Sequence, residues 1–279
     1  MSSRAFATEQ ELAGIEADRA AAYAEALQES KVDIARVEDV DAGGVPARRY
    51  VPPRPAGVLL YLHGGGFALG DLVTHDAIAR RLADRTGWAV LLPDYRRSPE
   101  HRWPAAAEDA AAAADWLAGH AGDQGHHRVV VVGDSAGSAL AIGEVIRHPG
   151  RYAGQVQVYP FVDPSAASYD HELTGADLPV ERCDLFWRLY LQGADASADP
   201  ALRVLDRGDL AGQPPALVQL AAHDVLTPAG HRYAERLQAA GVPVQVEVYP
   251  GVQHGFWRRT DNDQAGPALE RVAAFLSTL

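Results

Sequence analysis

The sequence predicts an α/β fold in which a mostly parallel central sheet is flanked by helices. Three observations predict it. From Val45 onward, short apolar runs alternate with helix-like runs, the pattern of a parallel sheet wound with helices on both faces. Val58 to Leu62 and Arg128 to Val132 are short, bounded and apolar or β-branched-rich, as expected of parallel strands buried on both faces. Two glycine clusters, His63-Gly64-Gly65-Gly66 and Gly133-Asp134-Ser135-Ala136-Gly137, each fall where such a run ends.

The elements follow in order. Thr8-Glu9-Gln10-Glu11 reads as a capping box opening a helix through about Leu27, with Leu12, Ile15, Tyr23 and Leu27 near one face. Val58 to Leu62 is a strand leading into the first glycine cluster. Ala89 to Pro93 is a strand and Ala105 to Leu117 a helix; Arg128 to Val132 is a strand and Ala136 to Arg147 a helix. Gln155 to Tyr159, Ala216 to Leu220 and Val244 to Val248 are further strands, the last two followed by helices over Ala229 to Ala240 and Pro267 to Leu276. Asp163 to Gln213 breaks the alternation, with no clear buried strand and one helix-like aromatic stretch containing Leu185, Phe186, Trp187, Leu189, Tyr190 and Leu191. An insertion there is placed to cover the carboxyl edge of the sheet. The 279 residues, 47% hydrophobic, fit a single large α/β domain over residues 1–279.

Composition narrows the partners. A net charge of −12, from 25 basic and 37 acidic residues, disfavours nucleic acid, anionic membranes and strongly anionic substrates. The single cysteine, Cys183, cannot form an intrachain disulfide and reads as a packed thiol. No basic segment followed by an apolar core marks a signal peptide, and no apolar run reaches the ~20 residues of a membrane span. These features predict a cytoplasmic protein.

The glycine clusters carry chemistry. A serine that attacks an acyl carbon must project from a sharp strand-to-helix turn, and Gly-x-Ser-x-Gly at the end of a strand is such an elbow. Ser135 is therefore the candidate nucleophile, with Gly133 and Gly137 keeping its neighbours small. The three glycines after His63 let a loop bring backbone N–H groups close to a developing oxyanion, where each donor contributes about 3 kcal/mol. Gly-x-Ser-x-Gly alone arises by chance in roughly one chain in ten of this length, so it is the combination with the first cluster that is specific.

The base and its orienting acid lie beyond the insertion. Asp224 follows the strand beginning at Ala216, and His254 follows the one beginning at Val244. The chain order Ser135, Asp224, His254 is the α/β-hydrolase order of triad members. Of the eleven histidines, His63 belongs to the glycine loop and His75 sits just past it, while His101, His120, His126, His127, His148, His171 and His231 lie in polar or helical surroundings and read mostly as surface residues. His223, next to Asp224, is the rival base, but adjacent residues at a strand end point to opposite faces. No histidine cluster has metal-ligand spacing, so no catalytic metal is expected.

His63-Gly64-Gly65-Gly66-Phe67, Asp94-Tyr95-Arg96, Pro99-Glu100-His101, Pro104-Ala105, Gly133-Asp134-Ser135-Ala136-Gly137 and His254-Gly255-Phe256 recur in register. From about Val37 to the C-terminus the chain resembles the hormone-sensitive-lipase family of bacterial carboxylesterases. That resemblance implies an α/β-hydrolase fold with a small helical cap, formed by about 1–35 and 163–213, no cofactor, and hydrolysis of short acyl esters or acetylated small molecules. It implies Ser135, Asp224 and His254 as the catalytic triad and the backbone N–H groups of Gly65, Gly66 and Ala136 as the oxyanion hole. Arg96 and Glu100 take a bracing role in the site wall. The resemblance also suggests homodimerisation through Val244 to Val248.

Two positions depart from the family pattern: Ser138 stands where a second glycine usually follows the elbow, and Val225-Leu226-Thr227-Pro228-Ala229 lacks the usual acidic residues. The short N-terminal arm suggests a small cap and an open acyl pocket. Among Phe67, Leu69, Phe161, Phe186, Trp187 and Trp257, apolar residues suited to an ester pocket, Phe67 and one of Phe186 or Trp187 are expected on its wall. The same triad also serves amide, formamide or carbamate hydrolysis, and relatives use the pocket for dehydration, cyclisation or simple binding of a small molecule. The residues leave these alternatives open.

Overall fold

The computed structural model describes residues 6–121, 128–195, 199–206, 209–259 and 262–279. His126 and His127 lie outside the described residues, as do short pieces of both expected cap segments. In chain order the elements are α1 (Glu9–Ala26), β1 (Arg36–Asp41), β2 (Pro46–Val51), β3 (Val58–Leu62), α2 (Asp76–Thr86), β4 (Ala89–Pro93), α3 (Ala105–Ala121), β5 (Val129–Asp134), α4 (Ala136–Arg147), β6 (Gly154–Val158), α5 (Val180–Leu191), β7 (Ala216–His223), α6 (Thr227–Ala239), β8 (Val244–Gln253) and α7 (Ala265–Leu276).

All eight strands form one sheet in the order β1-β2-β4-β3-β5-β6-β7-β8. The β1–β2 and β2–β4 pairs are antiparallel and every other pair is parallel. The strands β3, β4 and β6 are buried along their whole length, which explains the unbroken apolar character of β3 and β4. Alternate side chains serve two cores. Leu60, Leu62 and Val131 pack with α3, α4 and α6, and Leu59, Tyr61, Val130 and Val132 pack with α2 and α7 on the other face. Because β3 and β5 are neighbours in register, with Leu62 opposite Gly133, the two glycine clusters emerge side by side at the carboxyl edge.

Four elements carry weak apolar signals. β1 and β2 are charge-rich, and their pairing is laced with the ion pairs Arg48–Asp39 (2.6 Å) and Arg49–Glu38 (2.8 Å). α2 is dominated by charged residues, and its apolar positions Ile78, Ala79, Leu82 and Ala83 are sufficient to seat it against the sheet. β8 is longer than the apolar run Val244 to Val248 suggests and is only partly buried, because it is the last strand of the sheet.

The N-terminal arm and the insertion meet. α1 starts with the expected capping box between Thr8 and Glu11, and Glu11 also accepts a 2.7 Å ion pair from Arg188 of α5. Arg182 of α5 reaches Asp18 of α1. Arg19 then ties α1 to the sheet side, bonding Glu100 at 2.6 and 2.9 Å and the carbonyls of Ala68 and Ser98. Those bonds draw the Glu100 carboxyl down to about 2, the Arg19 hydrogen bond being the main cause.

Asp76, at the start of α2, is a buried hub. It accepts from Tyr50 Oη at 2.9 Å and faces Arg80 at 2.8 Å, Lys31 at 3.2 Å and Arg48 at 3.3 Å. Burial works against its charge, but hydrogen bonds from Arg80, Tyr50 and Lys31 outweigh it, so the carboxyl lies below the ordinary range. Removing one member of a buried ionic cluster leaves the others uncompensated. Asp76→Ala is expected to lower stability by about 3–5 kcal/mol at pH 7, read from urea denaturation midpoints; an unchanged midpoint would show that the cluster carries no net weight.

Candidate active site

Ser135 sits between β5 and α4 with φ 53° and ψ −120°, a strained conformation for a residue with a side chain. The turn is crowded enough to require its glycines: a Cβ on Gly137 would come within 1.9 Å of the Leu62 carbonyl oxygen. The strain is held by backbone bonds, Ser135 N–H donating to Val158 at 2.9 Å and Phe161 N–H to Ser135 at 3.1 Å. Ser138, the departure from the family pattern, strengthens the same turn. Its hydroxyl lies 2.7 Å from the Gly133 carbonyl and accepts from Val158 N–H at 3.2 Å, stitching α4 to β5 and β6.

β7 and β8 deliver the other two side chains. His254 Nε2 is 2.9 Å from Ser135 Oγ, and His254 Nδ1 is 2.7 Å from Asp224 Oδ2. Asp224 is buried, and its second oxygen accepts the Leu226 N–H at 3.0 Å. The carboxylate therefore fixes a proton on Nδ1 and leaves Nε2 free to accept one from the serine. Tyr159 lies against the imidazole with ring centroids 4.7 Å apart. His223 makes no hydrogen bond to Asp224.

The first glycine cluster is pinned beside this trio. Gly64 N–H donates to Asp134 Oδ1 at 2.8 Å, as does Tyr61 Oη. Among the described residues, the N–H groups of Gly65, Gly66 and Ala136 donate to no other group and belong to the residues around Ser135. His63 packs behind the loop, stacked on Tyr95 at 4.1 Å, and Tyr95 Oη donates to the His63 carbonyl at 2.6 Å.

A cavity of about 620 Å³ opens over Ser135 and His254, with Gly65, Gly66, Leu69, Phe161 and Phe186 on its walls and Ala22, Glu29 and Arg182 from the α1 and α5 side. That volume is ordinary for a small-molecule site. Among the described residues no cluster of histidine, cysteine or carboxylate could hold a metal.

The pattern describing the alpha/beta hydrolase fold matches residues 59–258. The chain belongs to that family. Within it the chain stands with the hormone-sensitive-lipase-like carboxylesterases. It is 39% identical over 234 residues to the carboxylic ester hydrolase LipN of Mycobacterium tuberculosis, covering 77% of this chain and 61% of LipN, so it spans less than two thirds of that relative. It is 37% identical over 233 residues to the ethyl acetate hydrolase of Pseudomonas putida, covering 78% of this chain and 73% of that one. The solved structure of an esterase from the bacterial hormone-sensitive lipase family superposes with a TM-score of 0.86 at 29% identity, covering 97% of this chain and 98% of that one.

In this alpha/beta hydrolase two of the expected pocket residues lie elsewhere. Phe67 and Trp187 do not line the cavity. Phe67, at φ 60°, turns inward and stacks on Tyr190 at 3.8 Å, and Trp187 is wedged against Phe161 at 4.5 Å with its Nε1 donating to Tyr169. Both rings are core behind the wall that Phe186 and Phe161 present. Trp257 is also fully buried, donating to Gln219. Leu69, Tyr159, Phe161, Leu178 and Phe186 are the aromatic and aliphatic surface a ligand would meet. No motif marks Tyr159, because a tyrosine at a strand end is a common placement.

Burial sets the charge state of the supporting groups. It pushes His63 down to about 3 and His75 well below its ordinary value, so both are neutral in the folded protein. It raises the Asp134 carboxyl, against the opposing bonds from Tyr61 and Gly64. For a histidine held neutral, the unfolded chain takes up a proton below about 6.5 that the folded chain refuses, so stability is retained above pH 6.5 and lost as pH falls toward 3. Each such histidine contributes up to about 1.4 kcal/mol per pH unit. Urea midpoints measured between pH 7.5 and 4 should fall below pH 6.5, and His63→Asn should make that slope shallower; an equal slope in the variant would mean His63 takes up a proton in the folded protein.

Proposed function

We propose that this alpha/beta hydrolase cleaves carboxylic esters of short acyl groups or acetylated small molecules through an acyl-enzyme on Ser135. The observation that carries the reading is the continuous Ser135–His254–Asp224 hydrogen-bond chain at a cavity whose walls include Leu69, Phe161 and Phe186. His254 Nε2 takes the Ser135 proton as Oγ attacks the ester carbon, and returns it to the departing alkoxide oxygen. Water then loses a proton to the same nitrogen as it attacks the acyl-enzyme, freeing the carboxylic acid and restoring Ser135. Asp224 keeps the imidazole in the required tautomer and stabilises its charged form. The N–H groups of Gly65, Gly66 and Ala136 receive the oxyanion, where one such donor is worth about 3–4 kcal/mol.

α1 and α5 act as a small cap over residues about 1–35 and 163–213, a reading supported by their mutual ion pairs and by Glu29, Arg182 and Phe186 on the cavity wall. β8, the terminal strand with Val248 exposed, is the edge through which two copies would pair. A reducing compartment such as the cytoplasm suits a chain whose only cysteine is a buried thiol.

Hydrolysis of a p-nitrophenyl ester series from acetate to long acyl chains is expected to peak at short chains, and Ser135→Ala is expected to lose on the order of 10⁴-fold or more in kcat. A Ser135→Ala variant that keeps its rate would remove the acyl-enzyme. A wild type inactive on every ester but active on amides would move the reading to amide hydrolysis.

A further inference from the structure

Three arginines stand at the cavity over Ser135, and two of them are neutralised. Arg259 bonds Asp177 at 2.6 Å. Arg182 pairs with Asp18 and lies over the Phe186 ring at 4.8 Å. Arg258 is different. Among the described residues its guanidinium makes no ion pair and no hydrogen bond, and its Nε is buried without a partner.

A guanidinium carries five N–H donors, and leaving a buried donor unsatisfied destabilises the fold. This one is also held in place from behind. Arg81 of α2 donates to the carbonyls of both Trp257 and Arg258 at 3.3 and 3.0 Å, and the Trp257 ring is buried and hydrogen-bonded to Gln219. The turn that presents Arg258 is thus fixed, four residues past His254.

The nearby carboxylates do not satisfy Arg258. Asp134 feels the Arg258 charge without an ion pair, its oxygens accepting from Tyr61, Gly64 and Tyr159. Glu29, on the α1 side of the cavity, feels Arg258 only beyond ion-pair distance, and Glu25 is exposed at the rim. One cation with free donors, facing a site already bordered by Glu25, Glu29 and Asp177, matches a single negative charge better than a dianion such as a phosphate monoester.

We infer that Arg258 is a specificity-determining residue that binds a carboxylate carried by the ester substrate, so that the preferred substrates are monoanionic esters of small acids or hydroxy acids. This rests on the esterase reading above. The planar fork of the guanidinium suits bidentate pairing with a carboxylate, and the bond forms in a partly desolvated cavity where it carries more weight than at the surface.

The test compares kcat/KM for a neutral ester, p-nitrophenyl butanoate, with two monoanionic esters, the p-nitrophenyl monoester of glutaric acid and 4-acetoxybutanoate, in the wild type and in Arg258→Gln and Arg258→Lys. The ratio of the better acidic ester to the neutral one is expected to fall about ten- to a hundredfold in Arg258→Gln, the range of one charge-assisted hydrogen bond or pair. It should fall less in Arg258→Lys, which keeps the charge without the fork. An unchanged ratio in Arg258→Gln overturns the inference while leaving the esterase reading intact. A second readout is independent of turnover: glutarate binding to Ser135→Ala by titration calorimetry should be lost when Arg258→Gln is added, and equal binding by the single and double variants also overturns it. Failure of the wild type on every ester, with glutarate binding still dependent on Arg258, would sink the esterase reading alone.

Discussion

The buried carboxylate of Asp134 joins the two halves of the site. It lies one residue before Ser135, at the end of β5, and its Oδ1 accepts both Gly64 N–H and Tyr61 Oη at 2.8 Å. The donor from Gly64 belongs to the loop after β3, so one side chain sets the distance between the strained serine turn and the glycine loop. The fit is tight enough that a Cβ on Gly64 would lie 2.5 Å from the second carboxylate oxygen. With Gly64 N–H engaged below, the loop leaves the amides of Gly65 and Gly66 for a ligand. Preorganised donors are effective because they need not reorient when charge develops.

That constraint explains why the surrounding polar groups are neutral or paired. His63 and His75, their rings 4.8 Å apart, could not both ionise in so buried a place, and burial keeps them uncharged. Charge is exported to the periphery, where Arg96 pairs with Asp109 and Arg19 with Glu100. The Arg96 and Glu100 contacts are bracing ones, joining the loop after β4 to α3 and α1. Ion pairs join α1 to α5 beside the cavity by a few exposed or half-buried bonds, weaker individually than core packing.

Much of this was legible in the chain because a parallel sheet sends its carboxyl ends to one edge. Once Val58 to Leu62, Val129 to Val132, Ala216 to Leu220 and Val244 to Val248 read as buried strands, the polar residues just after them had to converge, and Ser135, Asp224 and His254 do. β1 and β2 were illegible for the opposite reason: antiparallel strands at one end of the sheet carrying Arg36, Glu38, Arg48 and Arg49 lack the apolar signature. Phe67 and Trp187 failed as pocket residues because an apolar side chain has the same spelling in a wall and in the core behind it. Only the positive φ of Phe67, invisible in the sequence, turns its ring inward.

Arg258 lies at the limit of such reading. In a chain of net charge −12, an arginine after a strand reads as ordinary surface, and whole-chain charge argues against anionic ligands. Yet net charge acts over distances that salt screens within about 8 Å, whereas recognition inside a cavity depends on the groups within bonding reach. There the balance is set by pairing: Arg259 and Arg182 are spent on Asp177 and Asp18, and Asp134 is spent on the glycine loop. Among the described residues, what remains beside Ser135 is one fixed guanidinium with open donors, so the long-range field and the local site favour different charges, and the local site decides which ester fits.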